Sequence, residues 1–218
     1  MVQWRFNTAM FDLPPSVLRY HVKRMLVHSY LYDWTVQGFG MMRTYLSGPE
    51  YPKQFRLNIW DSALMVSNVS LIHDHPWRFK SRIINGQFCN IRFVESDTPN
   101  SKFFSEGVPS YGDPYDYAVI KTGEGGGPDG ERGRVNLSSM PTEIYNTGDT
   151  YQQEPTEIHM SVPGSSTITL NDRTRVGDGE HARVFWPAGR EWVDAMPRPA
   201  TDLEIVEVTA RALEKWQW

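Results

Sequence analysis

The strongest constraint on this chain is its punctuation. Between Phe55 and Trp186, short runs rich in β-branched and aromatic residues alternate with Gly, Pro and Asn. Residues 55–60, 64–73, 79–84, 87–94, 117–121, 143–146, 158–162, 167–170 and 181–186 read as strands on that pattern. Many short strands joined by turns specify an all-β sandwich or barrel, because a parallel α/β sheet needs helical crossovers between its strands. Asn85-Gly86 sits between two such runs and predicts a hairpin, since both central residues of a type I′ turn need positive φ. Pro163-Gly164 predicts a second.

The flanks read differently. Pro14-Pro15-Ser16 opens a helical stretch that would bury Val17, Leu18, Met25 and Leu26, until Gly38, Gly40, Gly48 and Pro49 break the pattern. At the other end Thr201 and Asp202 can cap a helix, with Leu203, Val206 and Leu213 docking it, or an edge strand over 203–208, onto the sheet. The expected organisation is a helical extension over 1–50 packed on the barrel, the barrel over 51–200, and a short helical or edge-strand extension over 201–218. The glycine-rich segment 123–134 lacks the Gly-Lys-Ser/Thr ending of a phosphate loop and reads as a surface loop.

Composition removes several function classes. The 39% hydrophobic and 13% aromatic content is ample for a core, so global disorder is not expected. A net charge of −4 with no Lys/Arg block argues against a nucleic-acid partner. One cysteine, Cys89, leaves no disulfide framework or thiolate zinc knuckle, and Cys89 itself reads as a small core residue. No apolar run approaches the roughly 18 residues of a membrane helix. The start Met1-Val-Gln-Trp-Arg-Phe6 has no basic-then-apolar build. The expectation is a protein of the cytoplasm with no membrane partner.

The chemistry lies in the histidines. His73 and His75 flank Asp74 at the end of an apolar run. Residues two apart on a strand share a face, so both imidazoles would project to one side and could hold one divalent cation at about 2.1 Å. Taken alone, the pair reads more readily as two partly exposed side chains at a strand end. His159 follows Gly148 by eleven residues, across a bend marked by Pro155. Asp74 alternates away from this face and reads as structural or as support for the ligands. His21, His28 and His181 read as surface residues, and Trp77 as packing at the rim.

These residues carry a resemblance. The paired histidines with Gly86 behind them, and the Gly148-to-His159 interval, are similar to the two motifs of the cupin superfamily. The run His73-Asp-His-Pro-Trp77, the stretch Gly148-Asp-Thr-Tyr151 and the segment from Val184 to Val193 further resemble an uncharacterised cupin-like group of bacteria and bacteriophages. The sequence departs from the motifs at the acidic ligand, where Phe79 stands, and at Pro155, Thr156 and Pro163 of the second motif. The resemblance implies a double-stranded β-helix, the cupin jelly-roll barrel, with a metal held by His73, His75 and His159 in its mouth.

Three neutral imidazoles suit Fe(II), Ni, Zn or Mn and leave an ion its full charge. By analogy with three-histidine dioxygenases of this fold, Fe(II) is favoured, with an oxygenase acting on a small anionic or thiol-bearing molecule. The alternatives are a cupin isomerase or epimerase and a non-catalytic cupin whose metal is structural. Counting by twos sets Glu157 and Ser161 beside His159, and Phe79, Ser81 and Ile83 on the facing strand. Ser81, Tyr151, Gln153, Glu157, Thr167 and Thr169 are the expected lining or ligand-supporting residues. Cupin barrels often pair sheet edges, so a homodimer is also an expectation.

Overall fold

The computed structural model describes residues 12–46, 53–96, 103–105, 108–110, 113–121, 132–176, 181–191, 193 and 196–216. The described elements are α1 (Pro15–Val27), β1 (Thr35–Gln37), β2 (Phe39–Tyr45), β3 (Lys53–Met65), β4 (Ile72–His73), β5 (Trp77–Asn85), β6 (Gln87–Ser96), β7 (Phe103–Ser105), β8 (Val108–Ser110), β9 (Asp113–Lys121), β10 (Arg132–Ser139), β11 (Glu143–Asn146), β12 (Thr150–Gln153), β13 (Ile158–Pro163), β14 (Ile168–Arg175), β15 (His181–Pro187), β16 (Arg198–Pro199) and α2 (Asp202–Glu214). None of the described helices is long and apolar enough to cross a membrane.

Two seven-stranded sheets carry the fold, in the orders β12-β5-β14-β3-β2-β1-β16 and β10-β9-β15-β4-β13-β6-β11. The strands β3, β4, β5, β6, β11, β12, β13 and β14, taken in chain order, are dealt between the sheets so that the last lies beside the first. Their neighbours are β12-β5-β14-β3 in one sheet and β11-β6-β13-β4 in the other. That interleaving is a jelly roll. The remaining strands extend it. β2 and β1 widen the first sheet, inside a stretch where only a helix was expected.

The predicted hairpins are corners instead. β5 and β6 lie in different sheets, as do β13 and β14, so Asn85-Gly86 and Pro163-Gly164 carry the chain from one sheet to the other. Gly86 takes the positive φ expected of it but Asn85 does not, so the turn is not type I′, and the strand partner also differs because a turn residue specifies a change of direction and not which strand lies alongside. Gly86 has φ +90°, and a Cβ there would meet Thr167 Oγ1 at 2.8 Å. The two corners lock together: the Gly164 amide and the Thr167 hydroxyl both donate to the Gln87 carbonyl, at 2.8 and 2.6 Å.

The second sheet closes on itself. β10 pairs with β9, and also returns to β6 with Ser139 opposite Phe93. The strands β6, β10, β9, β15, β4 and β13 therefore form a ring. All six contribute to one apolar cluster, which includes Ile72, Leu137, Ile158 and Phe185 with Phe93 and Tyr117 packed against it. Gly133 stands opposite Tyr117, and a Cβ there would fall 2.7 Å from its ring. The end of the glycine-rich segment is thus ring strand, while residues 122–131 lie outside the described residues. The predicted strand over 64–73 also resolves differently. β3 runs on to Met65, and only Ile72 and His73 are strand beyond it.

The main apolar core lies outside the barrel, between the first sheet and the helices. Leu57, Ile59, Ile84, Ile168 and Leu170 face Leu18, Val22, Met25, Leu26, Val208, Ala212 and Trp216 there. Val22 occupies the place expected of Val17, which is exposed. α1 starts with Pro15 at its first position, where the missing N–H costs nothing. α2 begins with a capping box: Thr201 accepts from the Glu204 amide and the Glu204 carboxylate accepts from the Thr201 amide. The edge-strand alternative is therefore overturned, and so is docking through Leu203 and Val206, which are 67% and 63% exposed. Once the segment is a helix, its period aims Val208 and Ala212 at the core.

Candidate metal centre

His73 and His159 are direct partners across β4 and β13, so their side chains leave the sheet on the same face. Their ring centres lie 4.5 Å apart, His75 and His159 5.0 Å, and His73 and His75 6.1 Å. The alternation of β4 and β13 explains the arrangement. Ile72, Ile158 and Met160 enter the ring cluster on one side of the sheet, which turns His73 and His159 into the jelly roll on the other.

Each imidazole is oriented by its own backbone. Nδ1 donates to the Leu71 carbonyl from His73 at 3.1 Å, to Trp77 from His75 at 2.9 Å, and to Glu157 from His159 at 3.0 Å. A carbonyl only accepts, so Nδ1 carries the proton and Nε2 keeps its lone pair in all three. The Nε2 of His75 is buried and has no partner. Burial holds all three histidines below their usual range, His75 at about 3, with the charges of His73 and of Arg56 adding to the effect at His75. The rings are therefore neutral at pH 7, as a cation's ligands must be.

The residues fit a metal ion in chemistry and nearly in spacing. Ligation at about 2.1 Å sets ring centres roughly 4.5–5.2 Å apart for angles between a right angle and the tetrahedral value. Two of the three separations lie in that range. The His73–His75 pair is wider, and among the described residues no three donors already surround one point. Gripping one ion requires a ring to swing inward, and His75 lies just past the paired end of β4.

Aromatic rings wall the histidines. Phe79 lies 4.9 Å from His75 and Phe39 6.2 Å from His73, centre to centre. Tyr151 stacks on Phe88 at 5.2 Å and on Tyr145 at 4.8 Å. Ser81 is buried and donates to Asn171 at 2.9 Å. Gln153, paired with Phe79 across β12 and β5, is fully buried with neither end of its amide bonded. Glu157 bonds Arg92 at 3.2 Å and takes the Glu154 amide, beside the histidines without pointing at them. Thr169 accepts from Asn58 and Trp60 at 3.0 and 3.3 Å inside the barrel. Thr167 stands apart, at the locked corners. Asp74 turns away and clamps β15, bonding the Arg183 amide at 2.6 Å and its guanidinium at 2.7 Å.

Sequence reasoning missed a set of inward polar residues: Arg56 and Asn58 on β3, Asn171 on β14, and Asn90 and Arg92 on β6. Strict alternation was visible in Phe55-Arg-Leu-Asn-Ile-Trp60. An alternating strand assigns its apolar side to the core, and here that core is the helical layer, leaving the polar side to face the barrel. Unbonded buried atoms collect on this face: Arg56 Nε, Asn58 Oδ1, His75 Nε2, Asn90 Oδ1 and both amide atoms of Gln153. Buried polar groups normally find partners. Their concentration sets this polar interior apart from the apolar layer on the other side of the first sheet.

No family model matches the chain, and no curated protein does. Similar solved structures include an RmlC-like cupin from Shewanella frigidimarina, with 11% identity over 68% of this chain and 88% of that one at a TM-score of 0.35. HEPD from Streptomyces albus, solved with 2-hydroxyethylphosphonate and Fe(II), shows 10% identity over 67% of this chain and 25% of its own length, at 0.36. L-ribose isomerase from Cellulomonas parahominis shows 10% identity over 99% of each chain, at 0.35. These superpositions are loose, and the strand order by itself identifies the fold as a jelly roll.

Proposed function

We propose that this protein is a metal-binding cupin in which His73, His75 and His159 hold a divalent ion, Fe(II) in preference to Ni, Zn or Mn, and that it is an oxygenase acting on a small anionic or thiol-bearing molecule. The observation that carries the reading is the common tautomer of the three rings: backbone carbonyls occupy every Nδ1, and three neutral Nε2 lone pairs remain inside one barrel. Fe(II) bound there supplies a Lewis-acidic, redox-active centre with coordination positions left open by a three-ligand set. The chain's own residues do the rest. The carbonyls orient the imidazoles, Phe39 and Phe79 keep water from the ring faces, and the unbonded amide of Gln153 offers a donor and an acceptor to a ligand.

Elemental analysis of protein purified without chelator tests the site. About one metal ion per chain is expected in the wild type, with near-complete loss in His159→Ala at retained fold. Unchanged metal content in that variant overturns the ligand assignment. Oxygen uptake with panels of small thiols and keto acids tests the chemistry, and no uptake by iron-loaded protein leaves the non-catalytic cupin and the cupin isomerase or epimerase in its place. The unbonded lining favours the non-catalytic reading equally, because a ligand can complete it without reacting.

A further inference from the structure

The barrel interior holds positive charge that three neutral histidines do not require. Arg56 stands in one cross-strand row with Asn171, Ser81 and Tyr151, on the inward face of the first sheet. Its Nε is enclosed and without a hydrogen-bond partner. Its side-chain partner is Tyr45, on the neighbouring strand β2 and directly opposite it. The Arg43 and Arg173 guanidiniums each lie 5.6 Å from the centre of that tyrosine ring. Among the described residues no carboxylate forms an ion pair with Arg56 or Arg43; the carboxylate pairs involve other arginines and Lys80. Arg43 is brought down to about 10 by burial and by Arg56 beside it. Tyr151, in the same row as Arg56, lies 5.9 Å from Phe79, and Phe79 lies 4.9 Å from His75, centre to centre, which links the row to the histidines.

A guanidinium whose Nε is enclosed without a carboxylate is costly, and the phenol bonded to Arg56 does not neutralise it. The missing counter-charge is one that a ligand can bring. We propose that Arg56, seconded by Arg43, anchors the oxyanion group of a small molecule, a carboxylate or a phosphate, held between these arginines and the three histidines. A guanidinium fork matches two oxygens of such a group at once, and a neutral thiol offers it nothing. The proposal rests on the functional reading above for the location of the ligand's reactive end, and narrows its substrate class to the anionic one.

Calorimetric titration of the full chain with malonate, inorganic phosphate and the neutral malonamide, at matched ionic strength in chloride, tests it. Malonate or phosphate is expected to bind and malonamide not to; whichever anion binds tighter names the group. Arg56→Gln should weaken that affinity about ten- to a hundredfold, with metal content unchanged. Arg56→Lys, which keeps the charge and loses the fork, and Arg43→Gln should weaken it by less, and they decide the matter if the glutamine variant does not fold. Equal affinity for malonamide, no anion binding, or wild-type affinity in the Arg56 and Arg43 variants overturns the proposal. Because metal content is read separately, loss of the metal reading and loss of the anion reading appear as different results.

Discussion

The two faces of the first sheet are opposites. Its outer face, Leu57, Ile59, Ile84, Ile168 and Leu170 under two helices, is apolar and completely covered. Its inner face, one residue away along each strand, carries Arg56, Asn58, Ser81, Gln153 and Asn171, with several polar atoms unbonded. In an ordinary jelly roll the inner faces of the two sheets form the core. Here the helices cover the larger apolar core, and the interior combines a smaller apolar cluster, Met41, Trp60, Phe79, Ile83, Phe88 and Tyr151, with polar residues available for ligand chemistry. Most of the apolar burial and the polar site therefore occupy opposite sides of the same strands.

The largest effect should come from the outer face. Leu170→Ala, which opens a cavity in the helical layer, should cost about 2–5 kcal/mol in urea unfolding, with metal content per folded molecule unchanged. A loss of metal content in the folded fraction would mean that the two faces are not separate. On mild acidification the inner face should respond first, before the paired carboxylates Glu204 and Asp116 outside it are protonated. His73, His75 and His159 are held neutral in the native state, His75 down to about 3, whereas the unfolded chain takes up protons near ~6.5. Between those values the unfolded state binds more protons, so stability is fully present above the unfolded value and is lost as pH falls toward 3. Melting temperature should drop steadily from pH 7 to pH 4, and less steeply in His75→Gln.

A smaller change should run the opposite way. Gln153→Met removes an amide with no partners and keeps its volume, so it should stabilise the protein by about 1 kcal/mol while weakening whatever ligand completes the interior. A destabilisation of that size in denaturant would show that the amide is bonded in solution. The smallest effect belongs to the periphery. Thr201→Ala breaks the capping box of α2 and should cost about 1 kcal/mol or less, with no change in metal content, read by the same unfolding curves.

Much of this was legible before any coordinates. The strand runs, the helix after Pro14 and the capping residues at Thr201 are local signals, and local chemistry decides them. His73, His75 and His159 could be grouped only through resemblance, since 84 residues separate His75 from His159 and no periodicity spans that interval. The corners at Gly86 and Gly164 were misread as hairpins because pairing partners are a property of the whole sheet. Arg56 and Asn58 were missed for a related reason. Alternation tells which residues share a face, and it cannot tell which of two available cores the apolar face will meet.

The ring of strands has a mechanical consequence for the site. A strand at a sheet margin can fray one hydrogen bond at a time, but β4 is held by β13 on one side and by β15 on the other, within a circuit that has no margin there. Opening at His73 demands that two seams part together. The amide protons of this two-residue strand should accordingly be among the slowest to exchange with solvent, outlasting those of the far longer α2.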